Sequence, residues 1–131
     1  MPSNPLTGKY YNFLSKFYKN ISSNQIKWTK GKNANYYSAD INHKFTIRIS
    51  KMVANIAANY FFKMFDDNGV KIFEINSETN GQDTIEVGEK ELKVHDMLEE
   101  IYQWSQAFSQ DTIEKIDIAA KMLDSLGKSV F

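Results

Sequence analysis

Acidic residues and two histidines are the side chains in this sequence best suited to catalysis or metal binding. Asp96, Glu99 and Glu100 would share one face of a predicted helix, as in glycosidases or metal sites, but a solvated helix face has the same composition. His95 lacks the second histidine four residues away that an H-E-x-x-H zinc motif requires. His43 falls in a predicted hairpin loop, where side chains are ordinarily solvated. We therefore expect no catalytic residue and no metal site.

Other motifs lead to the same expectation. The sequence has no cysteine, which excludes disulfides, thiolate zinc sites and cysteine nucleophiles. Residues 66–69 are similar to part of a calcium loop, but that alignment puts Met64 and Ile75 where the loop needs acids. Neither G-x-S-x-G, G-x-G-x-x-G nor a P-loop is present, so we expect no cofactor. An enzyme without a recognisable motif remains a second alternative, because catalytic residues need not be close in sequence.

Basic and aromatic residues interleave in the first half of the chain. Sheets with such residues stack the bases of single-stranded nucleic acids. Against this reading, the chain has a single arginine, whereas proteins that read bases favour arginine. Single-stranded nucleic-acid binding is therefore the first alternative function. The residues that would carry it are Lys27, Tyr36 and Arg48, with Lys30, Lys32 and Lys44 in the neighbouring loops.

The net charge of zero conceals an uneven distribution. Residues 1–63 carry ten basic residues and one acid, a net charge of +9, and residues 64–131 carry six lysines and fifteen acids, a net charge of −9. This polarity marks a surface for nucleic acid or a protein partner, or else the two halves lie against each other and neutralise one another. The sequence leaves both readings open.

Length and composition predict a single domain over residues 1–131. The chain is 42% hydrophobic and 14% aromatic, which is enough to form a core. Its first residues lack the basic and apolar segments of a signal peptide, and its longest apolar stretch is shorter than the roughly 20 residues that span a bilayer. We expect a cytoplasmic protein with no membrane association.

The first predicted element is a helix that Asn4 caps, with Pro5 at its first position and residues 22–24 at its end. Its apolar stripe needs a partner, either on the core layer or on the outer face of the sheet that follows. The stripe consists of Leu6, Tyr10, Phe13, Leu14, Phe17 and Ile21.

The first three strands can be aligned by their alternation. In this alignment Ile26 pairs with Ala39 and Trp28 with Tyr37, and a three-residue loop at 42–44 joins the next two strands. The apolar residues then lie on one face. That face comprises Ile26, Trp28, Tyr37, Ala39, Ile41, Phe45, Ile47 and Ile49, and the outer face comprises Lys27, Thr29, Tyr36, Ser38, Asp40, Thr46 and Arg48.

The next hairpin contains Asn68-Gly69, which favours a two-residue type I′ turn. That turn pairs Phe65 with Ile72, Asp66 with Lys71, Lys63 with Glu74, Met64 with Phe73 and Phe62 with Ile75. It leaves three apolar residues on the outer face, which forms a patch of aromatic anchors for a partner unless the first helix covers it. The three residues are Phe61, Phe65 and Ile72.

The remaining segments complete the predicted fold. Residues 51–58 are read as an irregular connection, 77–89 as a polar loop, and 89–108 as a helix. A last helix begins at the capping box 111–114, carries a stripe from Ile113 to Leu126 and ends at Gly127-Lys128. The fold class is therefore α+β: an N-terminal helix, a five-stranded antiparallel meander sheet, and a C-terminal pair of helices packed on the sheet.

A complete core without a catalytic motif favours a small intracellular, non-enzymatic protein-interaction module. Adaptors, inhibitors and immunity-type proteins are of this kind. Its expected partner is another protein or a second copy of itself, bound through Phe61, Phe65 and Ile72 or through the acidic helices.

Overall fold

The computed structural model describes residues 5–22, 26–32 and 35–130, with side chains through residue 127, and there a helix precedes a sheet that two further helices follow. The predicted α+β fold class is confirmed. In chain order the elements are α1 (Thr7–Lys19), β1 (Trp28–Lys30), β2 (Tyr36–Ile41), β3 (Phe45–Ala54), β4 (Ala57–Asp66), β5 (Lys71–Asn76), α2 (Ser77–Asn80), β6 (Thr84–Val87), β7 (Lys90–Lys93), α3 (Val94–Ala107) and α4 (Gln110–Val130).

Strands β1 to β5 form the predicted antiparallel meander, in which each strand pairs with its neighbours in sequence. Strands β6 and β7 form a separate two-stranded sheet. No helix in the described part of the chain is long and apolar enough to cross a bilayer.

Helices α1 and α3 cover the same face of the five-stranded sheet. Phe17 of α1 lies with its ring centroid 5.9 Å from Trp28 and 5.5 Å from Phe62, and both of these rings belong to the apolar face. The outer face therefore stays uncovered by α1, which settles the alternative left open by the sequence. The core between the helices and the sheet includes Leu14, Phe17, Trp28, Tyr37, Ala39, Ile47, Ile49, Phe62, Ile75, Val94, Met97, Leu98 and Ile101.

The helix boundaries differ from those predicted. The first helix begins at Thr7, after Pro5, while the predicted cap Asn4 lies outside the described residues. It ends at Lys19, where the Asn20 side chain donates a hydrogen bond of 2.8 Å to the Lys16 carbonyl. The predicted end at residues 22–24 was therefore late.

Helix α4 contacts β1 only through its first turns. Its cap is Ser109, whose Oγ accepts a hydrogen bond of 3.2 Å from the Thr112 N–H, so the predicted capping box at 111–114 began two residues late. The helix was predicted to end at Gly127-Lys128, but it continues to Val130. The backbone is helical at Gly127, where an added Cβ would meet no other atom.

The predicted register of β2 and β3 is confirmed. Ala39 pairs with Ile47 and Ile41 with Phe45, around the three-residue loop 42–44. Phe45 lies at the end of its strand and is still 37% exposed.

The register of β1 was predicted two residues away from its true position. Trp28 pairs with Ala39, where Ile26 was expected. A shift of two residues preserves which face a side chain occupies, so Trp28 is fully buried in either register. The connection between β1 and β2 is residues 31–35, one residue longer than the predicted loop 31–34, and residues 33–34 within it lie outside the described part of the chain.

The β4–β5 turn has three residues rather than two. Gly69 has a φ of 80°, and its N–H donates to the Asp66 carbonyl at 3.1 Å. The Asp66 carboxylate accepts further bonds of 2.9 Å from the N–H groups of Asn68 and Val70, which favours this wider turn. A bulge between Met64 and Phe65 then restores the predicted register.

Because of the bulge, only some of the predicted residue pairs between β4 and β5 are present. Lys63–Glu74, Met64–Phe73 and Phe62–Ile75 are confirmed. The predicted pairs Phe65–Ile72 and Asp66–Lys71 are wrong, because Phe65 lies opposite Lys71.

Two segments predicted to be irregular are regular structure. Residues 51–58 continue β3 and β4 as a hairpin around Asn55, whose φ is 58°. The supposed loop 77–89 contains α2 and β6, and the predicted first turn of the next helix is β7. Helix α3 therefore begins at Val94, whose N–H donates to the Asp83 carbonyl at 2.8 Å.

Candidate interaction surface

The face of the five-stranded sheet opposite α1 and α3, which we call the open face, brings charged and aromatic residues together. The strand registers place Ser38, Arg48, Lys63 and Glu74 in one row across β2 to β5. Other residues flank this row on the same face because side chains alternate along each strand. They include Tyr36, Thr46, Ser50, Phe61, Phe65 and Ile72, none of which is buried.

Arg48 lies at the centre of the open face between two aromatic rings. Its guanidinium carbon is 4.5 Å from the ring centroid of Tyr36 and 4.9 Å from that of Phe65. Its Nε is buried and has no hydrogen-bond partner, and no acid of the described residues forms an ion pair with it. A guanidinium that lies against aromatic rings can still bind a carboxylate or a phosphate through its N–H groups.

Gly31 determines where the Tyr36 ring lies. A Cβ atom at Gly31 would be 2.0 Å from the ring, so only glycine permits this contact. The Gly31 N–H also donates to the Tyr36 carbonyl at 3.0 Å. The ring is thereby held between the β1–β2 connection and Arg48. This role of Gly31 could not be predicted from the sequence, since nothing in the local pattern indicates a ring that lies against a glycine.

The row beside Arg48 has an excess of positive charge. Lys63 lies directly opposite Arg48 in the β3–β4 pair, an arrangement that is unfavourable without a counter-charge. Glu74 supplies one carboxylate, which lies 3.9 Å from Lys63 Nζ and 3.4 Å from Lys71 Nζ. Lys63 and Lys71 thus share one carboxylate while Arg48 has none in the described part of the chain, and these four side chains together have a net charge of +2.

A cleft of about 470 Å³ adjoins Arg48 at one end of the open face. It lies between the loop 42–44 and the turn at Gly69. Its walls include Thr46 and Phe65 and also three acids, Asp40, Asp66 and Asp67. Its volume is within the range of small-ligand sites, so it can accept a side chain of a partner next to Arg48.

Most of the residues predicted to bind a partner meet on the open face. Arg48 contacts the rings of both Tyr36 and Phe65. Phe61 lies on the same face of β4, with its ring centroid 5.9 Å from Lys63 Nζ. The two sets that the sequence assigned to competing functions therefore form one surface. Ile72 lies on β5 at the bulge and is 45% exposed. Lys27 lies apart, before β1, in a cavity that Trp104, Phe108 and Ile113 also line.

The histidines and the acidic cluster have other surroundings. His43 is in the predicted loop, almost fully exposed, with its Nδ1 3.0 Å from Asp40 Oδ2. His95 lies near the start of α3 beside the Tyr60 ring, and Glu91 belongs to β7 rather than to the same helix. Among the described residues no group of three His, Cys, Asp or Glu side chains is arranged to hold a metal ion.

Tyrosine hydroxyls connect the basic half of the chain with the acidic half. Tyr11 donates to Asp83, Tyr18 donates to Glu100, and Tyr60 donates to Glu99 at 3.3 Å. Burial, followed by the bond to Glu100, raises the pKa of Tyr18 to about 12. These carboxylates are engaged with the fold and do not form an open acidic site.

Helix α4 carries a second uncovered apolar surface, the α4 stripe. Its residues were predicted to form one side of a helix, and they do, but each is exposed. The exposed fractions are 38% for Ile113, 61% for Ile116, 68% for Leu123 and 61% for Leu126.

The sequence matches no protein-family model, no curated protein and no solved structure.

Proposed function

We propose that this protein is a small non-enzymatic interaction module that binds a protein partner through the open face. The observation that carries the proposal is the Arg48 guanidinium between Tyr36 and Phe65 on an uncovered sheet, with no carboxylate of the described residues paired to it. Arginine and aromatic residues dominate the binding energy of protein interfaces, and clusters of them near the centre of a surface are typical hot spots.

The charge of the open face indicates the chemistry of the partner. Glu74 is paired with Lys63 and Lys71, which leaves Arg48 without a carboxylate among the described residues, so the partner carries an aspartate, a glutamate or another anionic group opposite Arg48. Phe61 and Ile72 flank these charges and offer apolar contacts around them. An acidic segment with apolar side chains beside its carboxylates fits this arrangement.

Affinity capture from source cells tests the proposal, with nuclease treatment to remove partners held through nucleic acid. We expect Arg48→Ala and Phe65→Ala to lose the same protein that the wild type captures, with binding weakened about tenfold or more. Lys27→Ala is the matched control, because Lys27 is an exposed cation away from the open face. Equal capture by the wild type and by Arg48→Ala would contradict the proposal.

Single-stranded nucleic acid is the second candidate ligand of the same surface. Adjacent Arg48 and Lys63, with the rings of Tyr36 and Phe61 beside them, could bind phosphates and stack bases. In that case fluorescence anisotropy would detect binding of labelled oligonucleotides, which would weaken steeply with salt and on Tyr36→Ala. A flat titration at low salt would remove this candidate and leave the protein partner.

A further inference from the structure

Helix α4 has no apolar partner along most of its length within the part of the chain that the structure describes. Every residue from 113 to 127 is exposed, whereas α3 directly before it is buried along its apolar side. At 3.6 residues per turn, Ile116 and Leu123 lie on one side of α4, and Asp117 and Lys121 lie away from it. The polar side also carries Ile118 and Met122, which are 59% and 65% exposed. The largest apolar stripe of α4 therefore faces solvent in the single chain.

The α4 stripe offers apolar surface for an interface. Ile113 is 38% exposed, Ile116 61% and Leu123 68%. Pairing these side chains would remove apolar rather than polar surface from water, which favours association.

The order of charges along α4 selects its occupant. The first half of the helix carries Asp111, Glu114, Lys115 and Asp117, a net charge of −2. In the second half the described charged side chains, Lys121 and Asp124, cancel. Two copies in antiparallel order place each acidic half beside a neutral half and oppose the helix dipoles, whereas parallel copies place the two acidic halves together.

We infer that α4 pairs in antiparallel order with α4 of a second copy of this chain, forming a symmetric dimer. The apolar contact is self-complementary, as a two-fold interface requires, because Ile116 of one copy meets the region of Leu123 of the other. This dimer uses α4 alone and leaves the open face available, so it does not depend on the proposed function.

Light scattering over a dilution series tests the association. We expect the wild type to have twice the 15.1 kDa mass of one chain and to dissociate on dilution. Ile116→Asp combined with Leu123→Asp should be monomeric at all concentrations, with an unchanged near-ultraviolet signal from the core aromatic residues. Ser125→Asp, a matched acid on the polar side, should remain dimeric. A monomeric wild type, or a dimer that survives the double substitution, would overturn the inference.

Disulfide cross-linking tests the helix order without depending on the stability of those variants. The chain has no cysteine, so Ile113→Cys and Gly127→Cys each introduce a single thiol, and the added side chain at Gly127 meets no other atoms. Antiparallel pairing brings residue 113 near residue 127 of the other copy. Mixing the two variants should therefore give a cross-linked dimer, and Ile113→Cys alone should not. Self-cross-linking of Ile113→Cys would show parallel pairing and refute the antiparallel dimer.

Discussion

Helices α3 and α4 have the same kind of amphipathic sequence but opposite surroundings. Leu98 and Ile101 of α3 are fully buried, while Ile116 and Leu123 of α4 are 61% and 68% exposed. The change occurs at Ser109, which caps α4 and lies beside Trp28 at the edge of the sheet, so that α3 crosses the sheet and α4 leaves it. An apolar stripe thus predicts that a helix packs against another element, but it does not show whether that element belongs to the same chain or to another.

The two faces of the five-stranded sheet also differ in whether helices cover them. The inner face is covered by α1 and α3 and contains buried aliphatic and aromatic side chains. The open face has aromatic side chains too, but its cations lie over their rings, as Arg48 lies over Tyr36 and Lys63 over Phe61. Cation–π contacts thereby shield these rings from water in the single chain.

The largest expected effect is on folding, and it distinguishes α3 from α4. Leu98→Asp places an unpaired charge in the core and should unfold the protein, at a cost of more than about 4 kcal/mol. Leu123→Asp should leave the core folded, because its side chain meets solvent in the single chain. Circular dichroism in the near and far ultraviolet measures both. If Leu123→Asp also lost its tertiary signal, α4 would be packed on its own chain and the comparison would fail.

A smaller effect should separate the two faces of the sheet. Ile47 is fully buried on the inner face and Thr46 is its half-buried neighbour on the open face. We expect Ile47→Ala to lower the free energy of unfolding by about 2–5 kcal/mol. Thr46→Ala should change it by about 0.5 kcal/mol or less. Urea denaturation gives both values, and similar losses would mean that the assigned faces are wrong.

Much of the sheet could be predicted because alternation and register constrain each other. The loop 42–44 was identified because a shift of one residue would have turned Ile47 outward and Arg48 inward. The β1 register was not determined, since a shift of two residues leaves Trp28 on the same face. The type of turn near Gly69 depends on the Asp66 carboxylate, whose hydrogen bonds to the backbone are invisible to the Asn-Gly pattern.

The candidate site was predictable in part for the same reason. Alternation alone assigns Tyr36, Arg48 and Phe65 to the outer face, and the strand order brings them together. Lys27 lies apart from these residues, before β1 and beside the α3–α4 junction. The exposure of α4 could not be predicted, since it depends on the direction in which the helix leaves Ser109 and not on its periodicity.

A more local effect should arise where the open face touches the β1–β2 connection. Gly31→Ala places a Cβ within 2.0 Å of the Tyr36 ring, so the ring must move and its contact with Arg48 is disturbed. The expected cost is about 1–3 kcal/mol, as for other overpacked sites. The Arg48 Nε–H resonance should shift in the NMR spectrum.

Gly8→Ala is the matched control for that substitution. Gly8 lies in α1, where an added Cβ meets nothing within 4 Å, so this change should stabilise the helix by about 0.5–1 kcal/mol. An unshifted Arg48 resonance in Gly31→Ala would show that the glycine does not position the ring.

The smallest effect is on the free energy of unfolding at alkaline pH, and it arises at Tyr18 of α1. Burial, followed by the bond to Glu100, raises the pKa of Tyr18 from 10.0 to about 12 in the folded protein. Between these values the unfolded chain loses the Tyr18 proton while the folded chain keeps it, so the free energy of unfolding should fall as pH rises from 10 to 12. Tyr18→Phe should make this fall shallower. The other tyrosines with raised pKa, such as Tyr60, would still contribute in that variant. Urea titrations at several pH values in this window measure the slope, and an identical slope in wild type and Tyr18→Phe would mean that the hydroxyl is not held as described.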